Sequence, residues 1–227
     1  MSKQISLGYF KNFLDNKIET SIELYYKKMN NLLESNIYAN FVNSYHTNPD
    51  YMFIFGEGQS YGIELFANKN YGNLTGWISY TLSKTTRNFE QINNGEPFYA
   101  RYDRRHDISI LLDYKLNDKW SFSTVWVYFT GNAVTLPNSF YIINGNIVVE
   151  YGDYNGWRMP NYHRLDLSAN WKVIDKKNLK GLLNFSIYNA YSRKNAYMIS
   201  FVPETNDDWI MQYKANKITI FPILPSI

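Results

Sequence analysis

The chain has 227 residues, 45% of them hydrophobic, which is long enough for a sizeable ordered structure and too apolar for intrinsic disorder. Its 23 basic and 20 acidic residues leave a net charge of +3, too balanced for nucleic-acid recognition through charge alone. Cysteine is absent, which removes disulfides, thiolate metal sites and a cysteine nucleophile.

From the start, period two dominates the pattern. The opening "MSKQISLGYF" has no charged region followed by an apolar core, so it is not expected to act as a signal peptide. Instead Ile5, Leu7, Tyr9 and Phe13 share one face while Gln4, Ser6, Gly8 and Asn12 share the other. A polar turn at 14–17 follows, and then Ile18, Ile22, Leu24 and Tyr26 alternate with Glu19, Ser21, Glu23 and Lys27. After a long connection at about 31–58, Ile63, Leu65 and Ala67 oppose Glu64 and Asn68. A short turn at 69–73 leads to Leu74, Ile78, Tyr80 and Leu82 against Thr75, Ser79, Thr81 and Ser83.

The second half repeats the scheme. Beyond a long loop at about 87–103, Ile108, Ile110, Leu112 and Tyr114 face away from Asp107, Ser109, Asp113 and Lys115. A turn at 117–119 connects to the aromatic run "WSFSTVWVYF", and a third long loop covers about 132–160. In "YHRLDLSANWKV", Leu165, Leu167, Ala169, Trp171 and Val173 oppose Arg164, Asp166, Ser168, Asn170 and Lys172. After the turn at 174–179, Leu183, Phe185, Ile187 and Tyr191 recur together. One strand over 180–202, an outer turn near Pro203–Asp208 and a last strand from Ile210 through "FPILPSI" complete the chain. The pattern predicts roughly nine strands of about ten residues or more, longer than the ordinary globular strand of about five or six.

The strict alternation of short turns and long loops fits an up-and-down transmembrane barrel better than a sandwich. About 9–11 residues suffice for an oblique strand to cross hydrocarbon. Tyr26, Tyr80, Tyr114, Trp120, Tyr128 and Trp171 sit near strand ends, where such barrels carry aromatic girdles. A soluble sandwich would also carry polar residues on one face, so the periodicity leaves that architecture open. No stretch approaches the run of about 18 apolar residues that a spanning helix needs.

Several local patterns resemble catalytic or metal sites and fail on context. "GQSYG" at 58–62 has the spacing of a nucleophile elbow, but an elbow needs a helix after Ser60, and "YGIELFANK" reads as a strand. Gly56, Gly58 and Gly62 read instead as the passage from a loop into that strand. His46, His106 and His163 lie far apart with no paired ligand spacing, so neither a metal nor a cofactor is expected. "RYDRRHD" at 101–107 could meet an anionic ligand, but its charges nearly compensate and it reads as an ion-pair network at the mouth of the structure. No catalytic residue is assigned, and the chain is not read as an enzyme.

Taken together, "YGIELFANKNYGNLTGWISYTLSKTTR", "YARYDRRHDISILLDYKLNDKWSFSTVWVYFTGNAVTLP", "YNAYSRKNAYMISF" and "ITIFPILPSI" resemble the C-terminal barrel portion of TonB-dependent outer-membrane receptors. The resemblance is to the branch that often carries a carboxypeptidase-regulatory-like N-terminal domain, and it runs from about Gln4 to Ile227. It implies a barrel of about 22 strands closed by a plug. Such a barrel sits in the cell outer membrane and imports scarce, bulky nutrients with energy delivered through TonB. This chain would supply about the last nine strands over residues 1–227, without plug, TonB box or N-terminal domains and with the final strand cut short. It would be an open piece unable to transport alone.

The implied partners are outer-membrane lipid, the TonB complex acting through the plug region, an imported ligand and, on the outside, a capping lipoprotein; nucleic acid is not among them. The long loops are expected to carry part of the ligand site at Tyr99, Arg101, Tyr102, Arg104, Arg105, Tyr151, Tyr154, Trp157 and Arg158. A passive porin or adhesin-type barrel, and a soluble β-sandwich binding module, stand as the alternatives.

Overall fold

The computed structural model describes residues 1–35, 52–176, 179–205 and 211–227. Sixteen strands are present: β1 Ser2–Phe13, β2 Ile18–Ser35, β3 Phe53–Lys69, β4 Leu74–Asn88, β5 Phe98–Tyr99, β6 His106–Lys115, β7 Trp120–Phe129, β8 Ala133–Val134, β9 Pro137–Ile143, β10 Asn146–Tyr151, β11 Trp157–Arg158, β12 Tyr162–Lys176, β13 Leu179–Tyr188, β14 Ala196–Thr205, β15 Met211–Thr219 and β16 Leu224–Ser226. The main sheet follows the path β1-β2-β3-β4-β6-β7-β12-β13-β16, with β5 attached to β4, and every pairing is antiparallel. This is the expected nine-strand, all-β, up-and-down path, and the sheet remains open.

The register lays the apolar residues in continuous rows. Leu7, Leu24, Ile63, Leu82 and His106 are successive partners across five strands. So are Tyr9, Ile22, Leu65, Tyr80, Ile108 and Tyr128. The alternate rows are polar, as in Ser6–Tyr25–Gly62–Ser83. A slip of one residue anywhere would move a whole strand's apolar set onto the polar face, so the alternation itself fixes the register.

Among the described residues no second layer covers the apolar rows. The buried apolar residues among those described are Ile54, Phe89, Ile92, Phe98, Ala100 and Ala133, all at the long-loop end and none in these rows. Leu7 is 73% exposed and Leu24 49%. Aromatic residues bracket the face at both ends. At the short-turn end the Trp120 and Trp171 rings stack 5.5 Å apart. Toward the long-loop end Tyr80 Oη meets His106 Nδ1 at 2.9 Å and Tyr191 Oη meets His163 Nδ1 at 2.7 Å. Trp120 and Tyr128 of β7 stand about 26 Å apart along the strand, at about 3.3 Å per residue. All six aromatics expected near strand ends lie on this face.

Four details depart from the sequence reading. Strands β2 and β3 keep pairing to Ser35 and Phe53, beyond the expected start of their loop at 31, across a bulge between Met29 and Leu32 that Asn31 absorbs at φ 55°. Gly56 lies inside β3, where a Cβ would stand 2.5 Å from Cγ of Phe89, so it serves close packing and not passage out of a loop. Pro222 and Pro225, with no N–H to donate, are expected where the last strand leaves regular pairing near the rim. Pro222 lies outside the strands, but Pro225 sits within β16 opposite Ile187, on an edge strand where its missing N–H is tolerated. His46 and much of the first long loop fall outside the described residues.

The fourth departure concerns the last two strands, each of which is broken in two. β13 ends at Tyr188, β14 pairs with β15 as a separate hairpin, and the chain returns as β16 to pair with β13. Asn189 enforces the break at φ 54° with its side chain 1% exposed. Its Nδ2 donates to the carbonyls of Arg193 and Phe221 at 3.0 and 3.2 Å, its Oδ1 accepts from Arg193 N at 3.0 Å, and its own N–H donates to Asp166. The substitution Asn189→Ala strands these buried groups. It is expected to cost about 1–3 kcal/mol in denaturant unfolding of the assembled protein, with Ser168→Ala on the polar face as a near-neutral comparison.

Candidate functional site

The long-loop end is where chemistry-bearing side chains converge. Segments 89–105 and 130–161 leave neighbouring strands and are tied together side by side. Asn155 Nδ2 donates to the carbonyl of Tyr99 at 2.9 Å, Ala133 N to that of Arg101 at 3.1 Å, and Asn93 exchanges two bonds with the Tyr154 backbone at 3.1 and 2.8 Å. Beneath them Ile54, Phe89, Ile92 and Phe98 form a small apolar cluster on which Leu32 and Tyr154 pack, with Tyr154 edge-on to Phe98 at 5.2 Å. Burial, and after it the Glu34 carboxylate, pushes the Tyr154 phenol above its ordinary value, so it stays a neutral donor.

Asp103 is the electrostatic centre of this assembly. Only 2% exposed, it accepts from the Thr85 N–H and from the Arg158 guanidinium. Arg158 also donates to the carbonyls of Asp103 and Gly131 at 2.9 and 3.2 Å and lies 4.5 Å over the Tyr99 ring. Gly131 is required here because a Cβ would meet the Met159 carbonyl oxygen at 1.8 Å. Arg104 pairs with Asp107 at 3.1 Å and covers Phe129 at 3.6 Å, while Arg105 donates to Ser83 O at 3.4 Å. The "RYDRRHD" segment therefore forms ion pairs, as its balanced charge suggested.

The nine expected ligand residues thus divide into two groups. Arg104, Arg158 and Tyr154 are engaged within the protein, and Tyr99 is half-covered by Arg158. Arg101, Tyr102, Arg105, Tyr151 and Trp157 remain exposed, Tyr102 at 72%. Tyr151, Tyr154 and Trp157 line an open cleft of about 1120 Å³ with Glu90, Asn138 and Asp153. Sequence reasoning missed Asn93 and Asn155, which hold the two segments together, and Glu90 and Asn138 on the cleft. The "NNG" turn at 93–95, with Asn93 and Asn94 at φ 50° and 55°, was the available signal.

The decoys resolve as ordinary strand. Ser60 lies inside β3 with its Oγ 2.8 Å from Oγ1 of Thr85, so no elbow forms. No cluster of three potential metal ligands occurs among the described residues.

The family model "TonB dependent receptor-like, beta-barrel" matches residues 1–190. The chain belongs to this family. Solved structures agree on the fold. The ferripyoverdine receptor of the outer membrane of Pseudomonas aeruginosa is 15% identical at a TM-score of 0.60, over 98% of this chain and 26% of that one. The ferric-catecholate import receptor Fiu from Escherichia coli K12 is 16% identical at 0.58, over 98% and 26%. The FrpB iron transporter of Neisseria meningitidis is 14% identical at 0.54, over 99% and 29%. This chain spans roughly a quarter of the length of these receptors. No curated protein sequence matches it. For this receptor barrel, Asp103→Ala is expected to free Arg158 and loosen both loop segments, at a cost of about 2 kcal/mol. Limited trypsin digestion should then cut at Arg101–Arg105 faster while the main strands stay protected.

Proposed function

We propose that the chain is part of the wall of a TonB-dependent outer-membrane receptor, an importer of a scarce or bulky nutrient. The observation that carries this reading is the nine-strand sheet whose apolar rows have no protein layer behind them among the described residues. In water such a face would drive aggregation; in a bilayer it is the surface that acyl chains cover. Ile108, Ile110, Leu112, Leu165 and Leu167 then meet lipid, and Glu64, Asp113, Arg164, Asp166 and Lys172 face the lumen.

The remaining strands of the same wall, a plug and a TonB box complete the machine outside these residues. A sheet of nine strands leaves two edges of unpaired backbone, each group costing several kcal/mol in hydrocarbon, and only closure removes them. The outer loop segments, with Arg101, Tyr102, Tyr151 and Trp157 exposed, contribute part of the ligand site and present the surface on which a lipoprotein lid would sit.

The test uses the complete receptor. Growth of a strain that depends on it for a limiting nutrient should stop when TonB is deleted. Growth that persists without TonB would identify a passive porin and overturn the energy-coupled reading. Lipid facing has its own check in Leu167→Arg, which should cost about 2–4 kcal/mol near the bilayer midplane and deplete folded receptor from the outer membrane. The 227-residue chain expressed by itself should aggregate and support no uptake.

A further inference from the structure

The apolar face is not uniform. Near the long-loop end of β1–β4 it sinks into a depression of about 580 Å³, lined by Leu7, Leu24, Tyr26, Tyr61, Ile63 and Leu82. All six point from the apolar rows by register. The lining is aliphatic between two aromatic rows, a surface suited to hydrocarbon chains.

Cations gather above it on the same face. Lys3 and Lys28 are directly opposed cross-strand partners. Lys84 continues the row of Ile5, Tyr26 and Tyr61. Among the described residues Glu57 pairs with Lys28 at 3.6 Å. At about 4.8 Å between strands and 3.3 Å per residue, Lys28 and Lys84 stand within about 12 Å of each other. Long, flexible side chains bridge that span. Like charges directly opposed across strands repel, so Lys3 and Lys28 are stable neighbours when an anion sits between them.

A second, smaller pocket of about 200 Å³ adjoins this level, lined by Lys28, Gln59, Thr86 and Asn88, and it shares Tyr26 with the depression below. Polar pocket, cations and apolar hollow thus follow one another along a single line.

We propose that this face binds a phosphorylated, multi-chain lipid of the surrounding leaflet, with acyl chains in the depression and phosphates on Lys3, Lys28 and Lys84. The proposal rests on the lipid-facing reading above. The strand that would pair with β1 lies in the plane of the sheet, so closing the wall leaves the outward face free. A lumen solute is excluded as the occupant because these residues share the apolar rows and not the polar ones.

The experiment uses the complete receptor in detergent, titrated with bisphosphorylated lipid A or its dephosphorylated form and read by native mass spectrometry. The phosphorylated lipid should bind at least about tenfold more tightly. The triple variant K3Q/K28Q/K84Q should lose that preference, whereas K115Q/K119Q at the opposite end keeps it. Surface assembly and heat-resistant migration report that each variant is folded. Equal binding by the triple variant and the parent, or equal loss in both variants, overturns the lipid site while leaving the receptor reading intact. Failure of the parent receptor to assemble in the outer membrane would remove the lipid-facing reading itself.

Discussion

One constraint organises this protein: an amphipathic sheet must have something on each side and at each edge. In a soluble domain a second layer covers the apolar rows, and the sheet's stability comes from that burial. Here the rows are uncovered among the described residues, and the buried apolar cluster is a handful of side chains at one end. Cohesion within the wall is therefore lateral. It comes from backbone ladders and same-face neighbours such as the Phe129–Tyr162 pair, whose rings stack 4.5 Å apart. On the function proposed above, lipid and closing strands would supply the rest.

The same constraint explains the distribution of polar chemistry. On the apolar face, phenol and imidazole groups near the long-loop end satisfy one another, as in Tyr80 with His106; on the proposed membrane reading these amphipathic rings stand where lipid meets water. On the polar face, Arg164 donates to Asp166, Tyr162 and Tyr188 at 2.8–3.1 Å, a network that would be costly in hydrocarbon and that the proposed reading turns toward the lumen. Above both, the interlocked loops use buried polar groups at Asp103 and Asn155 as fasteners. Exposed Tyr102, Tyr151 and Trp157 are thereby carried on a fixed platform, which would reduce the ordering cost of the ligand contact proposed for them.

Strand identity, facing and order were legible because period two repeats over long segments and the turns alternate in length. The aromatic ends were legible too, since all six of the expected Tyr and Trp residues fall on the apolar face. What escaped was whatever depends on contacts between distant segments. No local pattern says that Arg158 reaches back to Asp103, 55 residues earlier, or that Asn93 fastens Tyr154. Pairing strength also hid the true length of β2 and β3, because their upper residues lack clean alternation after the bulge at Asn31.

The broken strand at 189–195 shows how side chains can stand in for a ladder. Where β13 turns away, β12 would lose its partner at His163. Asn195 takes that place: its Oδ1 accepts from His163 N at 3.2 Å and its Nδ2 donates to His163 O at 2.9 Å, the two bonds a neighbouring residue would have made. Asn189 does the same service for the carbonyl of Phe221 as the chain returns to form β16. Two primary amides, each carrying both donor and acceptor, therefore allow the β14–β15 hairpin to leave the wall without orphaning the backbone it leaves behind. The sequence "NAYSRKN" reads as an ordinary polar interruption until the partners of its first and last residues are known, and then it reads as the hinge that lets a strand end inside a continuous wall.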